Sequence, residues 1–176
     1  KKPTPFFYLD THAGRGVYDL SEAQAQRSGE YKGGIGRLLE LPAAALPPEV
    51  GAYVALVRAS AGKDYSAITA YPGSPLIVAR LRRPVDRLVL AETLPREAAT
   101  LRAALGRQRR VSVLESDGYA AIKAQLPPPE NRGLVLIDPP YESDAEFDRV
   151  LGALELAHER WPTGTVCVWY PLTARA

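Results

Sequence analysis

Short apolar runs alternate with amphipathic segments along most of this chain. The runs are apolar throughout, without the polar alternation of a strand that has one face in water, so they predict strands buried on both faces. These strands are predicted at residues 5–10, 87–92, 111–115, 133–138 and 164–170. Helical spacing of apolar residues predicts helices at residues 21–27, 49–61, 74–83, 95–105 and 118–126, and again from residue 143. The alternation predicts an α/β fold with a mostly parallel sheet between two layers of helices.

Serine residues mark three of the predicted helix starts. Ser21 and Ser143 are each followed, at the third position, by Gln or Glu, which is the capping-box pattern. Ser74 stands directly before Pro75, so Ser74 is the predicted N-cap and Pro75 the first helical residue. All three hydroxyls are therefore expected to accept hydrogen bonds from backbone amides of the first turn.

Residues 1–176 are predicted to form a single domain, because one domain commonly takes roughly 100–200 residues. The segment from residue 17 to residue 84 is too long for the first crossover of a minimal α/β unit. We therefore predict that residues 17–84 form a helical insertion subdomain after the first strand.

Composition excludes several classes of protein. With 46% hydrophobic and 24% charged residues, the chain has the composition of a globular domain and not of a disordered or fibrous one. No apolar run approaches the ~20 residues of a membrane span, so we expect no membrane contact and a cytoplasmic location. One cysteine, Cys167, and two histidines are too few for an internal disulfide or an ordinary structural zinc site, so no metal is expected.

The net charge of +2 does not by itself indicate nucleic acid. However, 17 of the 22 basic residues are arginines, which favour bidentate pairing with phosphate and carboxylate groups. Codon bias explains this excess equally well. Two basic clusters, at residues 80–83 and 107–110, either contact phosphates or are solvated helix ends and loops.

Asp10, Gly14 and Gly16 form a D-x-x-x-G-x-G loop directly after the first predicted strand. Ligands of open parallel sheets bind at the carboxyl ends of the strands, and glycines let a ligand approach the backbone closely. The loop lacks the third glycine of the dinucleotide fingerprint, which disfavours a pyrophosphate ligand. A nucleoside with a charged amino-acid tail fits better, with Asp10 accepting a hydrogen bond from the ammonium group of the tail.

Acids also follow the next two predicted strands. Glu92 stands where an acid commonly receives both ribose hydroxyls of an adenosine ligand, and the alternative is a solvated acid at a strand end. Asp117 is placed to accept a hydrogen bond from an adenine amino group, while Gly118 permits a close turn. Asp117 is equally suited to cap the helix that begins at Gly118, and the two roles are compatible.

The strongest chemical signal is the sequence Asp138-Pro139-Pro140-Tyr141, directly after the fourth predicted strand. The prolines fix the backbone and carry no N–H, so the Asp138 carboxylate and the Pro139 carbonyl converge as acceptors on one amino group. An exocyclic amine needs such acceptors, because its lone pair must leave conjugation before it attacks a methyl sulfonium. Tyr141 supplies the one donor of the motif, its hydroxyl, and an aromatic face on which a base stacks.

Together these motifs resemble the RlmJ family, methyltransferases that use S-adenosylmethionine to make N6-methyladenosine in 23S ribosomal RNA. The resemblance extends over essentially the whole chain and rests on residues 8–14, 71–75, 117–118 and 136–142 (YLDTHAG, YPGSP, DG and LIDPPYE). It implies a Rossmann-like methyltransferase fold, S-adenosylmethionine as the cofactor and S-adenosylhomocysteine as the product. It also implies 23S ribosomal RNA as the partner, with no protein partner and no metal, so we expect a monomer.

The resemblance assigns roles to individual residues. Asp138 is the implied catalytic acceptor, and the cofactor pocket is implied to include His12, Ser74, Glu92, Asp117 and Gly118. The alternative for His12 is a structural turn histidine, and the alternative for Ser74 is a helix cap alone. Family members typically begin with an additional N-terminal segment and continue past the fifth strand. We therefore expect the domain to be truncated at both ends and to lack its C-terminal strands.

Three other functions remain open from the sequence. A DNA adenine-N6 methyltransferase is one, because the acceptor motif reads the amine and not the sugar. A nicotinamide-dependent oxidoreductase would place Glu92 on the ribose of its cofactor, but it has no use for the Asp-Pro-Pro-Tyr motif. The third is a non-catalytic nucleoside-binding module.

Overall fold

The computed structural model describes residues 3–60 and 69–172. Its strands are β1 Phe7–Asp10, β2 Val17–Asp19, β3 Ala70–Pro72, β4 Arg87–Glu92, β5 Val111–Glu115, β6 Gly133–Ile137 and β7 Thr165–Val168. Its helices are α1 Ala23–Ser28, α2 Glu30–Gly33, α3 Ile35–Glu40, α4 Pro48–Ser60, α5 Ser74–Leu81, α6 Pro95–Leu105, α7 Gly118–Gln125 and α8 Ala145–Arg160, with a 3-10 helix at Ala43–Ala45. Each predicted strand and helix corresponds to one of these elements, with ends shifted by a few residues. Residue 61, the predicted end of one helix, lies outside the described residues.

The central sheet has five strands in the order β5-β4-β1-β6-β7, and every neighbouring pair is parallel. Parallel neighbours need a long crossover, which the alternating helices provide. Numbered along the chain within this sheet, the order is 3-2-1-4-5, which is the Rossmann-like order. The predicted α/β fold is confirmed. The strand order reverses between β1 and β6, and ligands of such sheets bind at the carboxyl ends of the strands beside this switch point.

Helices cover both faces of the sheet. Tyr8 and Leu90 face α5 and α6, whereas Phe7 and Leu9 face α7 and α8. Phe7 is 0% exposed and Tyr8 is 1% exposed, so successive residues of β1 are buried in different cores, as an uninterrupted apolar run predicts. Among the described residues, no helix combines the length and the apolarity that crossing a membrane requires.

The segment 17–84 contains the predicted helices and also two short strands, and its standing as an insertion subdomain stays a prediction. Helices α1 to α4 are present, with a small core of their own around Val54 and Val57. However, β2 and β3 pair as an antiparallel ribbon at the base of the segment, and α5 packs on the central sheet. The sequence prediction missed the ribbon because each strand has only three residues, too few to show a two-residue period. Residues 61–68 of the segment lie outside the described residues.

The predicted serine caps at Ser21, Ser74 and Ser143 are wrong. Helices α1 and α8 begin after the predicted N-caps, α5 begins at Ser74 itself, and none of the three has a side-chain hydrogen bond at its N-cap. Two of the hydroxyls bind carboxylates instead: Ser21 donates to Asp19 at 2.6 Å, and Ser74 donates to Asp10 at 2.7 Å. A hydrogen bond to an ionised acceptor is roughly twice as strong as a neutral one, so these carboxylates outcompete the helix amides.

Asp86 joins the start of β4 to the start of β1. Its carboxylate accepts a hydrogen bond from the Phe6 amide at 2.9 Å and pairs with the Arg83 guanidinium at 2.6 Å. Burial alone would raise the pKa of Asp86, but the hydrogen bonds from Arg83 and Phe6 outweigh burial and lower the pKa to about 2. Asp86 is therefore a charged anchor within the fold.

Replacing Asp86 by Asn should lower the free energy of unfolding by about 2 kcal/mol at pH 7. A pKa that is depressed in the folded state stabilises the protein above the ordinary Asp pKa of ~3.9, and this stability is lost as the pH falls through about 2. Urea unfolding of both proteins at pH 7 and pH 3 measures the effect, and the difference should fall to about half at the lower pH. An equal difference at both values would contradict the ionic role.

Candidate active site

Four acidic side chains follow one another along the carboxyl edge of the central sheet. They come at or just after the ends of β5, β4, β1 and β6, and they are, in spatial order, Asp117, Glu92, Asp10 and Asp138. Neighbouring strands lie ~4.8 Å apart, so this acidic row spans roughly 14 Å. Asp10 and Asp138 stand on either side of the switch point. The strand order thus brings together the acids that the sequence placed at separate strand ends.

Asp10 is fully buried, and its carboxylate accepts three hydrogen bonds from neighbouring residues. Its Oδ2 accepts hydrogen bonds from the Tyr8 hydroxyl at 2.9 Å and the Ser74 hydroxyl at 2.7 Å, and its Oδ1 accepts one from the His12 amide at 3.3 Å. Burial raises the pKa of Asp10 to about 6, and the charge of Asp138 adds to this rise. The three hydrogen bonds lower the pKa, but burial outweighs them. The contact predicted between Asp10 and a ligand ammonium stays a prediction.

The glycine loop has the backbone that the sequence predicted. Gly14 and Gly16 are left-handed, with φ of 62° and 85°. The Gly14 amide donates to Glu92 Oε2 at 2.8 Å, and the Leu94 amide donates to Glu92 Oε1 at 2.8 Å. Glu92 is 9% exposed, so the alternative of a solvated strand-end acid is wrong. Each Glu92 oxygen keeps a second lone pair, and its role on a ribose stays a prediction.

Two residues of this region were not predicted as parts of a site. Arg15 pairs with Glu97 at 2.6 Å, which fastens the glycine loop to α6. The Tyr18 side chain lies against Gly14 and Gly73, beside the loop. Arg15 and Glu97 are 82 positions apart, and such a distant pairing leaves no signal in a single sequence.

Asp117 caps helix α7, since its Oδ1 accepts a hydrogen bond from the Tyr119 amide at 2.9 Å. The capping alternative is confirmed. Its Oδ2 lies 3.5 Å from Arg149 Nη2, and the Asp117 side chain remains half exposed, so the carboxylate is still open to a ligand. Gly118 lies so close to the Thr11 carbonyl that no Cβ fits between them. The close turn predicted at Gly118 is therefore present.

His12 belongs to the glycine loop, and its ring contacts α7. Its Nδ1 is 2.8 Å from Thr11 Oγ1, and its ring meets Tyr119 edge-on with 5.2 Å between centroids. Burial lowers the pKa of His12. The Tyr119 hydroxyl in turn donates to Glu146 at 2.6 Å. These contacts support the structural alternative for His12, and its place in a cofactor pocket stays a prediction.

The acceptor motif follows β6 at the far end of the acidic row. Asp138 is exposed, and within residues 3–60 and 69–172 neither its carboxylate nor the Pro139 carbonyl takes part in a hydrogen bond. Tyr141 has a φ of 52°, donates its hydroxyl to the Trp169 carbonyl at 2.7 Å and packs 5.0 Å from the Phe147 ring. The one donor of the motif is therefore used within the fold. Both acceptors are thus unpaired among the described residues, although Pro139 itself is buried, and the hydrogen bond of the tyrosine hydroxyl holds the Tyr141 ring in place.

Two observations concern the chain away from this row. The basic clusters at residues 80–83 and 107–110 precede strands, at the amino edge of the sheet, where Arg83 pairs with Asp86 and Arg110 lies 3.6 Å from Glu130. These ion pairs support the interpretation of the two basic clusters as structural.

In the part of the chain that the structure describes, no group of three or more His, Cys, Asp or Glu side chains is suited to hold a metal ion.

The parallel sheet, whose strand order reverses between β1 and β6, and the glycine loop with its left-handed residues define a Rossmann-like α/β protein. The acidic row of its candidate site ends at the Asp-Pro-Pro-Tyr motif. The family described as ribosomal RNA large subunit methyltransferase D, RlmJ, matches residues 3–176. The chain belongs to this family, and the predicted resemblance is confirmed.

Individual relatives agree with this assignment. Proteins named ribosomal RNA large subunit methyltransferase J from Haemophilus influenzae (strain Rd) and Escherichia coli (strain K12) are 43% and 40% identical over 99% of this chain. The chain spans 61% of the length of each of these relatives. A protein from Legionella pneumophila with a crystal structure is 38% identical to this chain, and the two structures superpose with a TM-score of 0.87. The match covers 97% of this chain and 61% of the Legionella chain.

Proposed function

We propose that this protein is an S-adenosylmethionine-dependent methyltransferase that acts on the exocyclic N6 amine of an adenosine in 23S ribosomal RNA. The observation that carries the proposal is the acidic row, which ends in two acceptors, on Asp138 and Pro139, that have no partner among the described residues. Family membership and the names of the relatives support methyl transfer to large-subunit ribosomal RNA. Such a substrate also implies a cytoplasmic location.

The chemistry along the row fits S-adenosylmethionine. Asp117 suits the adenine amino group, Glu92 the ribose hydroxyls, and the loop of Gly14 and Gly16 the amino-acid tail. A length of roughly 14 Å suits an adenosine ligand with an extended tail. The carboxylates favour a ligand with positive charge over an anionic one. When bound, the cofactor supplies a methyl group carried on a positively charged sulfur.

The acceptor motif positions the target amine. Asp138 and the Pro139 carbonyl accept hydrogen bonds from the two N–H groups of an adenine that has swung out of its stack. These bonds turn the nitrogen lone pair out of conjugation and toward the cofactor side of the row. The Tyr141 ring supports the base, and such stacking contributes ~1–3 kcal/mol. Asp138 need not be a strong base, because the amine becomes very acidic as it is methylated.

Positioning of this kind recovers up to ~7–11 kcal/mol of the activation barrier. The proposal therefore predicts that the protein binds the cofactor and also methylates the RNA. S-adenosylhomocysteine should raise the unfolding temperature of the protein, whereas NAD should not. With S-adenosylmethionine, a 23S ribosomal RNA transcript should gain N6-methyladenosine, and a DNA of matched sequence should be a poorer substrate. Stabilisation by NAD alone would favour the oxidoreductase, and equal activity on DNA would favour the DNA enzyme. Binding without turnover would indicate a non-catalytic module.

A further inference from the structure

Tyr18 lies beside the glycine loop but belongs to the ribbon at the base of the insertion. In β2 it pairs with Tyr71 of β3, and the Tyr71 hydroxyl is hydrogen-bonded to the Tyr53 hydroxyl of α4. The ribbon is also joined to the loop, since the Gly73 amide donates to the Gly16 carbonyl at 2.8 Å. The insertion therefore places the Tyr18 side chain against the part of the site where a ligand tail is expected.

Two glycines make room for the Tyr18 side chain. A Cβ on Gly14 would collide with the Tyr18 hydroxyl, and a Cβ on Gly73 would lie 3.0 Å from the ring carbon Cε2 of Tyr18. Gly73 has a φ of −73°, which any residue adopts, so its backbone conformation does not require glycine. A side chain at residue 73 would instead crowd the Tyr18 ring, which would have to shift by a few tenths of an ångström. The Tyr18 ring thus packs beside Gly73, and its hydroxyl lies over Gly14.

The Tyr18 hydroxyl has a proton to donate. Within residues 3–60 and 69–172 it takes part in no hydrogen bond, although the side chain is only 40% exposed. Burial raises the pKa of Tyr18, and the nearby charges of Glu92, Asp10 and Glu97 raise it further, so the phenol is neutral. Two other donors beside the loop are already used: Ser74 donates to Asp10, and the Gly14 amide donates to Glu92.

We propose that Tyr18 is a further cofactor-binding residue, whose hydroxyl donates a hydrogen bond to the carboxylate of the amino-acid tail of the cofactor. This inference rests on the proposed function. The acids around the loop suit the ammonium group of the tail, and none of them can donate to its carboxylate. Tyr18 supplies a donor on this side of the loop, where the neighbouring Arg15 is already paired with Glu22 and Glu97.

Binding of two ligands that differ only in the tail tests the proposal. S-adenosylhomocysteine carries the tail, and 5′-methylthioadenosine has the same adenosine and sulfur with a methyl group in its place. Calorimetric titration of the full chain should show that Tyr18→Phe weakens S-adenosylhomocysteine binding by about tenfold or more and leaves 5′-methylthioadenosine binding unchanged. Because Tyr18→Phe keeps the aromatic ring beside Gly73, urea unfolding should give the variant a free energy of unfolding close to that of the wild type.

Tyr31→Phe is the matched control, because it removes a hydroxyl from helix α2 of the same insertion, where it accepts a hydrogen bond from Gln26 and has no contact with the ribbon's hydrogen bonds. It should bind both ligands like the wild type. Equal weakening of both ligands by Tyr18→Phe, or no weakening of either, would overturn the role of Tyr18. Failure of the wild type to bind S-adenosylhomocysteine would overturn the proposed function and this inference together. A wild type that binds beside an unaffected Tyr18→Phe variant would overturn the inference alone.

Discussion

Replacing Asp138 by Ala is expected to reduce methylation of 23S ribosomal RNA by about 10²–10³-fold, the usual effect of removing one preorganised hydrogen-bonding group from a reacting centre. The Asp138 carboxylate has no partner among the described residues, so its removal leaves the surrounding hydrogen bonds intact. Affinity for S-adenosylhomocysteine should therefore change by less than about threefold, or about 0.7 kcal/mol. Single-turnover methylation and calorimetric titration of the same preparations measure the two quantities.

Asp144→Ala provides a control for the loss of a carboxylate in the same loop. Asp144 is exposed, and its side chain makes no capping hydrogen bond to α8, so both activity and binding should stay at the wild-type level. Although Asp138 is exposed by its surface area, the protein atoms around its carboxylate partly desolvate it and raise its pKa, so methylation by the wild type should begin to fall at a pH above the ordinary Asp value of ~3.9. Full activity of Asp138→Ala, or a matching loss of cofactor affinity, would contradict its role as the acceptor.

The parts of the fold that could be predicted are those that repeat a local pattern. Residues 88–91 are all apolar, and the strand predicted at residues 87–92 occupies these same residues, Arg87–Glu92. Because strands of this kind are parallel, an acid directly after a strand must lie at the carboxyl edge of the sheet. This rule places Glu92 and Asp138 at that edge from the sequence alone.

The parts that could not be predicted depend on pairings between distant residues. Ser74 precedes a proline at a helix start, yet its hydroxyl binds Asp10, which is 64 positions away. Tyr18 is one of nine tyrosines, and only the ribbon that joins β2 to β3 turns it toward Gly14. Local propensity favours a cap at Ser74 and says nothing of the direction of Tyr18, because Asp10 and the strand partner Tyr71 are both distant in sequence.

Gly118 joins the fold to the site, because it brings the start of α7 against the end of β1. A Cβ at this position would collide with the carbonyl and Cβ of Thr11. Thr11 cannot yield easily, since it is 1% exposed and its amide is bound to the Leu136 carbonyl at 3.1 Å. Any side chain at residue 118 must therefore push α7 away from the sheet and carry Asp117 with it.

Gly118→Ala is thus expected to lower the free energy of unfolding by about 3 kcal/mol, the upper end of the usual cost of overpacking, and to weaken S-adenosylhomocysteine binding as well. Gly152→Ala is the matched control, because Gly152 lies within α8 and nothing stands within 4 Å of its Cβ position. There alanine should stabilise the protein by about 0.5–1 kcal/mol, since glycine loses more backbone freedom on folding. Urea unfolding of the two variants should therefore show changes of opposite sign. Two stabilised variants would mean that the start of α7 does not lie on Thr11, and the place of Asp117 in the acidic row would be lost with it.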